Sequence, residues 1–204
     1  ESDNNSDNPH VRAFEFESDH EEVVVTGTED EERYYPIISL PQFLTLEHSA
    51  RVHSYLQVLE DILFQIEFPD NAIHFREKQS RGGEAMTIGL TRFKAISKAS
   101  TNAQYTKELM PILQCLMNCV APDFEYTSIA LNRCKQYTPH RDKLNKPNTD
   151  SIIVGLGAYV RGELNVEGTL YNIRHRFLRF DGKRCTHSTM PFDGNRLSLV
   201  YYSV

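Results

Sequence analysis

The distribution of hydrophobic periodicity along this chain limits its fold more than any other feature. Helical spacing is confined to the first 120 residues, and a succession of short β-type runs follows. From Glu47 to Phe68 the residues Val52, Tyr55, Leu56, Leu59, Ile62, Leu63 and Ile66 recur at the spacing of an amphipathic helix. A second helix is predicted from Thr106 to Val120 through Leu109, Ile112, Leu113, Leu116 and Met117, with Pro111 in its first turn, where a missing N–H costs little. Between them, residues 71–104 carry short strand-like pieces and the loop Ser80-Arg81-Gly82-Gly83. After Asp123, strands are expected at Tyr126–Leu131, Ser151–Leu156, Glu163–Val166, Phe177–Phe180 and Arg196–Ser203, with turn residues between them. Helices followed by many short strands read as an α+β fold: a double-stranded β-helix (jelly-roll, cupin-like) core buttressed by N-terminal helices.

At 204 residues the chain has room for one ordinary core and little for a second. Its net charge of -6 is unevenly spread. Residues 1–35 hold twelve acidic side chains against Arg12 and Arg33, a balance of -10, so the remainder carries +4. Residues 1–32 are therefore expected to be an acidic, flexible arm, apart from a strand at Glu22–Thr26, with residues 33–204 forming a single domain. The longest apolar run, Ile152–Ala158, contains two glycines and is far too short to span a bilayer, so no membrane association is expected. Cys115, Cys119, Cys134 and Cys185 form no CxxC. Cys115 and Cys119, one turn apart in the second helix, are expected to be small apolar core residues, and the cysteine usage suits an intracellular location, nuclear or cytoplasmic.

One His-x-Asp occurs, at His140-Arg141-Asp142, flanked by strand-like runs. His187 lies 45 residues after Asp142, and Arg196 nine residues after that. Two imidazoles and one carboxylate make the facial triad of non-haem Fe(II) oxygenases, which leaves adjacent positions open on the metal. His140 and Asp142 share one face of an extended strand because side chains alternate. Arg196 suits the far carboxylate of a 2-oxoglutarate co-substrate, since a buried carboxylate needs a two-pronged partner, and Ser198 lies on the same strand face two residues on. The HRD triplet does not mark a kinase: Pro147 stands where a kinase loop needs asparagine, and neither a DFG nor a glycine-rich nucleotide loop accompanies it.

The local words are more specific than the triad. Pro139-His140-Arg141-Asp142-Lys143-Leu144-Asn145, then Asn148 and Ser151-Ile152-Ile153-Val154, resembles the metal-binding stretch of the ten-eleven translocation (TET) family and its TET/JBP relatives. His187-Ser188-Thr189-Met190-Pro191 and Arg196-Leu197-Ser198-Leu199-Val200-Tyr201-Tyr202 look like that family's distal histidine segment and final strand. The resemblance implies a dioxygenase that uses Fe(II) and 2-oxoglutarate, with ascorbate as a stimulant, to oxidise the methyl group of 5-methylcytosine or thymine in DNA. It implies His140, Asp142 and His187 as iron ligands and Arg196 and Ser198 on 2-oxoglutarate. It further implies Asn145 and Tyr202 at a flipped base, which an amide can bond and a ring can stack on. Asn145 reads equally as a turn residue after the strand, and Tyr202 as core packing. Two departures stand out: Val204 occupies the place of a base-contacting histidine in the animal members, and four cysteines cannot build their zinc-binding region.

A second resemblance concerns the co-substrate. Asn132-Arg133-Cys134 is similar to the Asn-Arg-Tyr that precedes the HxD of AlkB-like demethylases, implying Asn132 on 2-oxoglutarate with Tyr137 supplying the missing hydroxyl. Basic residues cluster around these words: Arg133, Lys135, Arg141, Lys143 and Lys146 near the HxD, Arg174, Arg176, Arg179, Lys183 and Arg184 before His187, and Arg76, Lys78, Arg92, Lys94 and Lys98 around the Arg81 loop. Arg141 and Arg81 are candidate substrate contacts, on a phosphate backbone or as solvated strand faces. The alternatives to TET-like oxidation are an AlkB-like nucleic-acid demethylase, a protein hydroxylase on the same fold, and an inactive nucleic-acid-binding module.

Overall fold

A computed structural model of the protein describes residues 37–38, 46–69, 77–93 and 96–204. The acidic arm, the strand expected at Glu22–Thr26, Arg76 and Lys94 lie outside the described residues. The strands begin with β1 (Ile37–Ile38), β2 (Ser80–Arg81), β3 (Glu84–Phe93), β4 (Ile96–Ala99), β5 (Ser128–Arg133), β6 (Gln136–Tyr137) and β7 (Ser151–Leu156). They continue with β8 (Tyr159–Arg161), β9 (Leu164–Val166), β10 (Thr169–Tyr171), β11 (Phe177–Phe180), β12 (His187–Thr189), β13 (Phe192–Gly194) and β14 (Leu197–Tyr202). Two helices are described, α1 (Leu46–Gln65) and α2 (Ala103–Val120).

One sheet runs β1-β11-β7-β14-β5-β3-β4, and short sheets β10-β9-β12, β13-β8 and β2-β6 supply the other wall. Every named strand pair is antiparallel. This is the double-stranded β-helix expected from the sequence, with the two helices laid on the large sheet. Alternation along the central strands sorts their side chains. Leu197, Leu199 and Tyr201 of β14, with Ile152, Val154 and Leu156 of β7, share a core with Leu56, Leu59, Leu63, Leu113 and Leu116 of the helices. The intervening Ile153 joins Leu164, Val166, Leu178 and Phe180 in a second cluster on the barrel side. Each fully buried leucine contributes roughly 1.5–3 kcal/mol. Because β7 is covered on both faces, it reads in sequence as an unbroken apolar run.

The helices correct two expectations. α2 begins three residues earlier than expected, so Pro111 lies inside it and not in its first turn. Pro111 is on the exposed side, where its ring faces water. Cys115 is also exposed and so does not belong to the core, whereas Cys119 is half-buried against it. α1 has no basic residue in its last turn, and Arg133 of β5 supplies the missing cation. Its Nη1 donates to the carbonyls of Leu63 at 3.1 Å and Ile66 at 2.9 Å, while Nε donates to Glu84 Oε2 at 2.8 Å.

The turn between β2 and β3 also fixes the corner that leads to the site. Gly82 and Gly83 both have φ +59, and a Cβ on Gly83 would run into the backbone of Arg133 and Cys134, whereas one on Gly82 would sit 3.8 Å from the Cys134 carbonyl. Gly82→Ala should therefore cost about 1–2 kcal/mol for the backbone conformation alone. Gly83→Ala should cost about 3 kcal/mol or more, because β5 must shift as well. Urea unfolding of the two variants checks the ranking; equal losses would contradict the close approach.

Candidate metal centre

β6 runs directly into the HxD segment. Thr138 N–H donates to the Gln79 carbonyl at 2.9 Å, and His140 and His187 then exchange both backbone hydrogen bonds, at 3.0 and 2.9 Å. An antiparallel bridge thus brings together two histidines 47 residues apart in sequence. Their ring centroids lie 4.4 Å apart. His140 Nε2 is 3.8 Å from Asp142 Oδ1, and His187 Nε2 is 3.6 Å from Asp142 Oδ2.

The outer contacts of these three residues suit a metal. His140 Nδ1 lies 2.7 Å from the Thr138 carbonyl and His187 Nδ1 3.0 Å from the Cys185 carbonyl. Each carbonyl can only accept, so each Nδ1 carries the proton and each Nε2 lone pair faces Asp142. One ligand atom from each residue lies within 4.8 Å of the others. Asp142 N–H donates to the Gly182 carbonyl at 2.8 Å. Gly182 also makes room for the carboxylate, since a Cβ there would stand 3.2 Å from both Asp142 Oδ2 and Ser151 Oγ. Phe180 meets the His187 ring edge-on at 5.0 Å, an apolar wall on one side.

A polar row runs from the triad across the large sheet. The Tyr137 ring lies 5.4 Å from that of His140, and its hydroxyl donates to Asn132 Oδ1 at 2.8 Å. Asn132 Nδ2 donates to Ser198 Oγ at 3.2 Å. Ser198 pairs with Asn132 on one side and with Gly155 on the other, so three central strands place small or polar groups side by side. Above Gly155 is the Tyr159 hydroxyl, which a Cβ at that position would strike.

Arg196 closes the row. It is 2% exposed, with Nε donating to the Gly162 carbonyl at 3.1 Å and the guanidinium stacked 5.5 Å from Tyr159 and 5.7 Å from Phe192. Its Nη2 and the Tyr159 hydroxyl are both buried without a hydrogen-bond partner. Burial pushes the arginine pKa down, and burial likewise pushes the Tyr159 phenol up against the opposing pull of Arg196 and Arg174. The phenol therefore remains a proton donor at neutral pH. A buried guanidinium with Nη2 unmatched and no carboxylate paired to it, beside a buried tyrosine hydroxyl, fits an incoming carboxylate.

The residues singled out in sequence fall into two groups. His140, Asp142, His187, Asn132, Tyr137, Ser198 and Arg196 lie along this connected row. Asn145 is 3% exposed with Nδ2 3.4 Å from Ser151 Oγ, and Tyr202 is 9% exposed near the end of β14, where Lys146 N–H donates to the Ser203 carbonyl at 2.9 Å. Arg81 and Arg141 are exposed, Arg81 on the strand paired with β6 and Arg141 with Nε 3.1 Å from Thr186 Oγ1. The basic clusters are not all available to a ligand. Lys135 is 2% exposed, Arg133 caps α1, Arg179 is paired with Asp150 at 2.7 Å, and Arg174 donates to the Tyr159 carbonyl at 3.3 Å. Tyr159 was not singled out in sequence. It lies 37 residues before Arg196, and only the pairing of β8 with β13 brings the two together.

No protein-family model matches the chain, and no curated protein matches its sequence. Solved structures do match. NgTET1 in complex with 5mC DNA aligns with TM-score 0.51 and 17% identity, covering 78% of this chain and 69% of its own. An oxidoreductase of the 2OG-Fe(II) oxygenase family from Burkholderia pseudomallei aligns with TM-score 0.51 and 17% identity, covering 72% of this chain and 77% of its own. The shared feature is the fold, a double-stranded β-helix.

The half-buried Arg133 and the buried Arg196 should respond oppositely to truncation. Arg133→Met strips Glu84 and the α1 carbonyls of their partner and should cost about 2 kcal/mol. Arg196→Met removes a desolvated charge with an unpartnered nitrogen, so the thermal midpoint of the ligand-free protein should hold or rise. Calorimetry on both variants decides; a large loss at Arg196 would mean that the guanidinium is structural.

Proposed function

We propose that the protein is an Fe(II)- and 2-oxoglutarate-dependent dioxygenase acting on the methyl group of a 5-methylpyrimidine, 5-methylcytosine first, in DNA. The observation that carries the reading is Arg196. A buried guanidinium with one nitrogen unmatched at one end of a polar row, with a His-Asp-His cluster at the other, suits a metal-chelating dicarboxylate. His140, Asp142 and His187 would hold the metal through two imidazoles and a carboxylate, a set suited to Fe(II). Arg196 would take the far carboxylate of 2-oxoglutarate, with the Tyr159 hydroxyl donating beside it and Ser198 and Asn132 along the floor. Iron and 2-oxoglutarate together supply the activation of O2 needed to oxidise an unactivated C–H bond.

The chain's own work is to position and to exclude. The carbonyls of Thr138 and Cys185 hold the imidazoles in one tautomer and orientation. Phe180, Phe192 and Tyr159 keep the row dry, which strengthens the pairing of Arg196 with a carboxylate. Asn145 and Tyr202 would meet the flipped base, and Arg81 and Arg141 the phosphates. The DNA assignment is supported by the TET-like words around the HxD and by a fold shared with NgTET1 in complex with 5mC DNA. The hydrogen-bonded Tyr137–Asn132–Ser198 chain supports a second reading, an AlkB-like demethylase, which would keep the same centre.

Nucleoside mass spectrometry after incubation with Fe(II), 2-oxoglutarate, ascorbate and DNA containing 5-methylcytosine and thymine tests the proposal. Hydroxymethyl, formyl or carboxyl bases should form with the wild type and be missing with Asp142→Ala. Succinate without new bases would transfer the substrate to alkylated nucleic acid or protein. Formation of neither succinate nor new bases would overturn the enzyme assignment and favour an inactive binding module.

A further inference from the structure

The exposed large hydrophobics among the described residues include Val58, Ile96, Val160 and Leu170, and a single such residue is ordinary on a protein surface. Leu144 differs in where it stands and how it is held. It is 46% exposed, two residues after Asp142, at the lip of the candidate metal centre. Its neighbour Asn145 is buried, so consecutive side chains point out of and into the protein at the same place.

The backbone beneath Leu144 is pinned. Lys183 Nζ donates to the carbonyl before it, Lys143 at 2.7 Å, and to the carbonyl after it, Asn145 at 2.6 Å. Asn145 N–H donates to the Asp142 carbonyl at 3.0 Å, and Lys146 N–H donates to the Ser203 carbonyl at 2.9 Å. The turn carrying Lys183 is itself closed by Asp181 Oδ1, which accepts from the N–H groups of Lys183 and Arg184 at 3.0 Å. A loop free to move would fold an exposed leucine against the surface; this one holds it in water.

The surroundings of Leu144 are cationic. Lys143, Lys146 and Arg184 are exposed and make no ion pair among the described residues, and the Arg141 guanidinium donates to the Thr186 hydroxyl. A rigid aliphatic tip flanked by unpaired ammonium groups matches one ligand surface: stacked bases between two anionic backbones.

We infer that Leu144 is a wedge that enters duplex DNA at the target step, with Lys143 and Lys146 on the flanking phosphates, and fills the space that the extruded base leaves. The inference rests on the nucleic-acid reading above and narrows its substrate to duplex. The energetic logic is that of an apolar side chain inserted between base steps to stabilise an unstacked state. Placing the wedge next to Asn145 puts the opening of the stack and the capture of the base on adjacent residues.

The test uses a short duplex with 2-aminopurine beside the 5-methylcytosine, and the full chain loaded with Mn(II) and 2-oxoglutarate under nitrogen to prevent turnover. Binding of the wild type should raise the fluorescence, and Leu144→Met should preserve the rise. Leu144→Ser should abolish most of it and weaken duplex binding about tenfold, a loss largely recovered on a duplex with an abasic site opposite the target. A Leu144→Ser protein that binds and unstacks the intact duplex like the wild type would overturn the wedge, as would wild-type binding without a fluorescence change. Failure of the wild type to bind any DNA would instead sink the nucleic-acid reading, and the wedge with it.

Discussion

Three neighbouring strands, β5, β14 and β7, must satisfy two different environments at once, and the rest of the molecule is arranged around that requirement. On one face their leucines, Ile129, Ile152 and Tyr201 are closed off by α1 and α2. On the other, one cross-strand row carries Asn132, Ser198 and Gly155 in register. A slip of one residue in any of these strands would exchange the faces, burying polar groups under the helices and placing leucines on the floor of the site. The apolar packing of the helices therefore fixes the register on which that polar row depends.

The same economy governs the charges. Arg133 and Arg196 lie at the same end of adjacent strands, yet they serve opposite ends. Arg133 is saturated by Glu84 and by the carbonyls that end α1, and it holds the helix to the sheet. Arg196 is left with one nitrogen unmatched beside an unmatched tyrosine hydroxyl. A folded protein keeps such groups only where something else meets them, because an unmatched buried charge is among the more destabilising features a core can hold. The turn at residues 181–184 plays a comparable double part. Gly182 receives the Asp142 backbone and leaves room for its carboxylate, while Lys183 fixes the loop that follows.

Much of this was legible in the sequence. The 3.6-residue stripe of α1 and the alternation in β14 report burial directly, so helix faces and strand positions emerged close to where they lie. The His-x-Asp, the distal histidine and the arginine stood out as short words of fixed chemistry, although His140 makes only an isolated bridge and Asp142 lies beyond it outside any strand, not on the extended strand expected. Tyr159 was not legible, because its relation to Arg196 exists only through the β8–β13 pairing. Pro111 was misplaced because propensity favours proline at a helix start, whereas α2 begins at Ala103 and carries the proline in its interior. The one-turn spacing of Cys115 and Cys119 suggested a common face, but only Cys119 packs against the core. Charge clusters were the least informative, since sequence cannot tell Lys135, which is buried, from Lys143, which is not.

The central claim is that the His-Asp-His cluster and Arg196 form one site for a metal-bound dicarboxylate. Calorimetric titration of 2-oxoglutarate into the full chain under nitrogen, with and without Mn(II), tests it most directly. The account predicts binding that depends on the metal, is lost in Asp142→Ala, and weakens about a hundredfold in Arg196→Met as a charge-assisted pair is removed. Equal affinity with and without metal, or in the Arg196→Met protein, would contradict it.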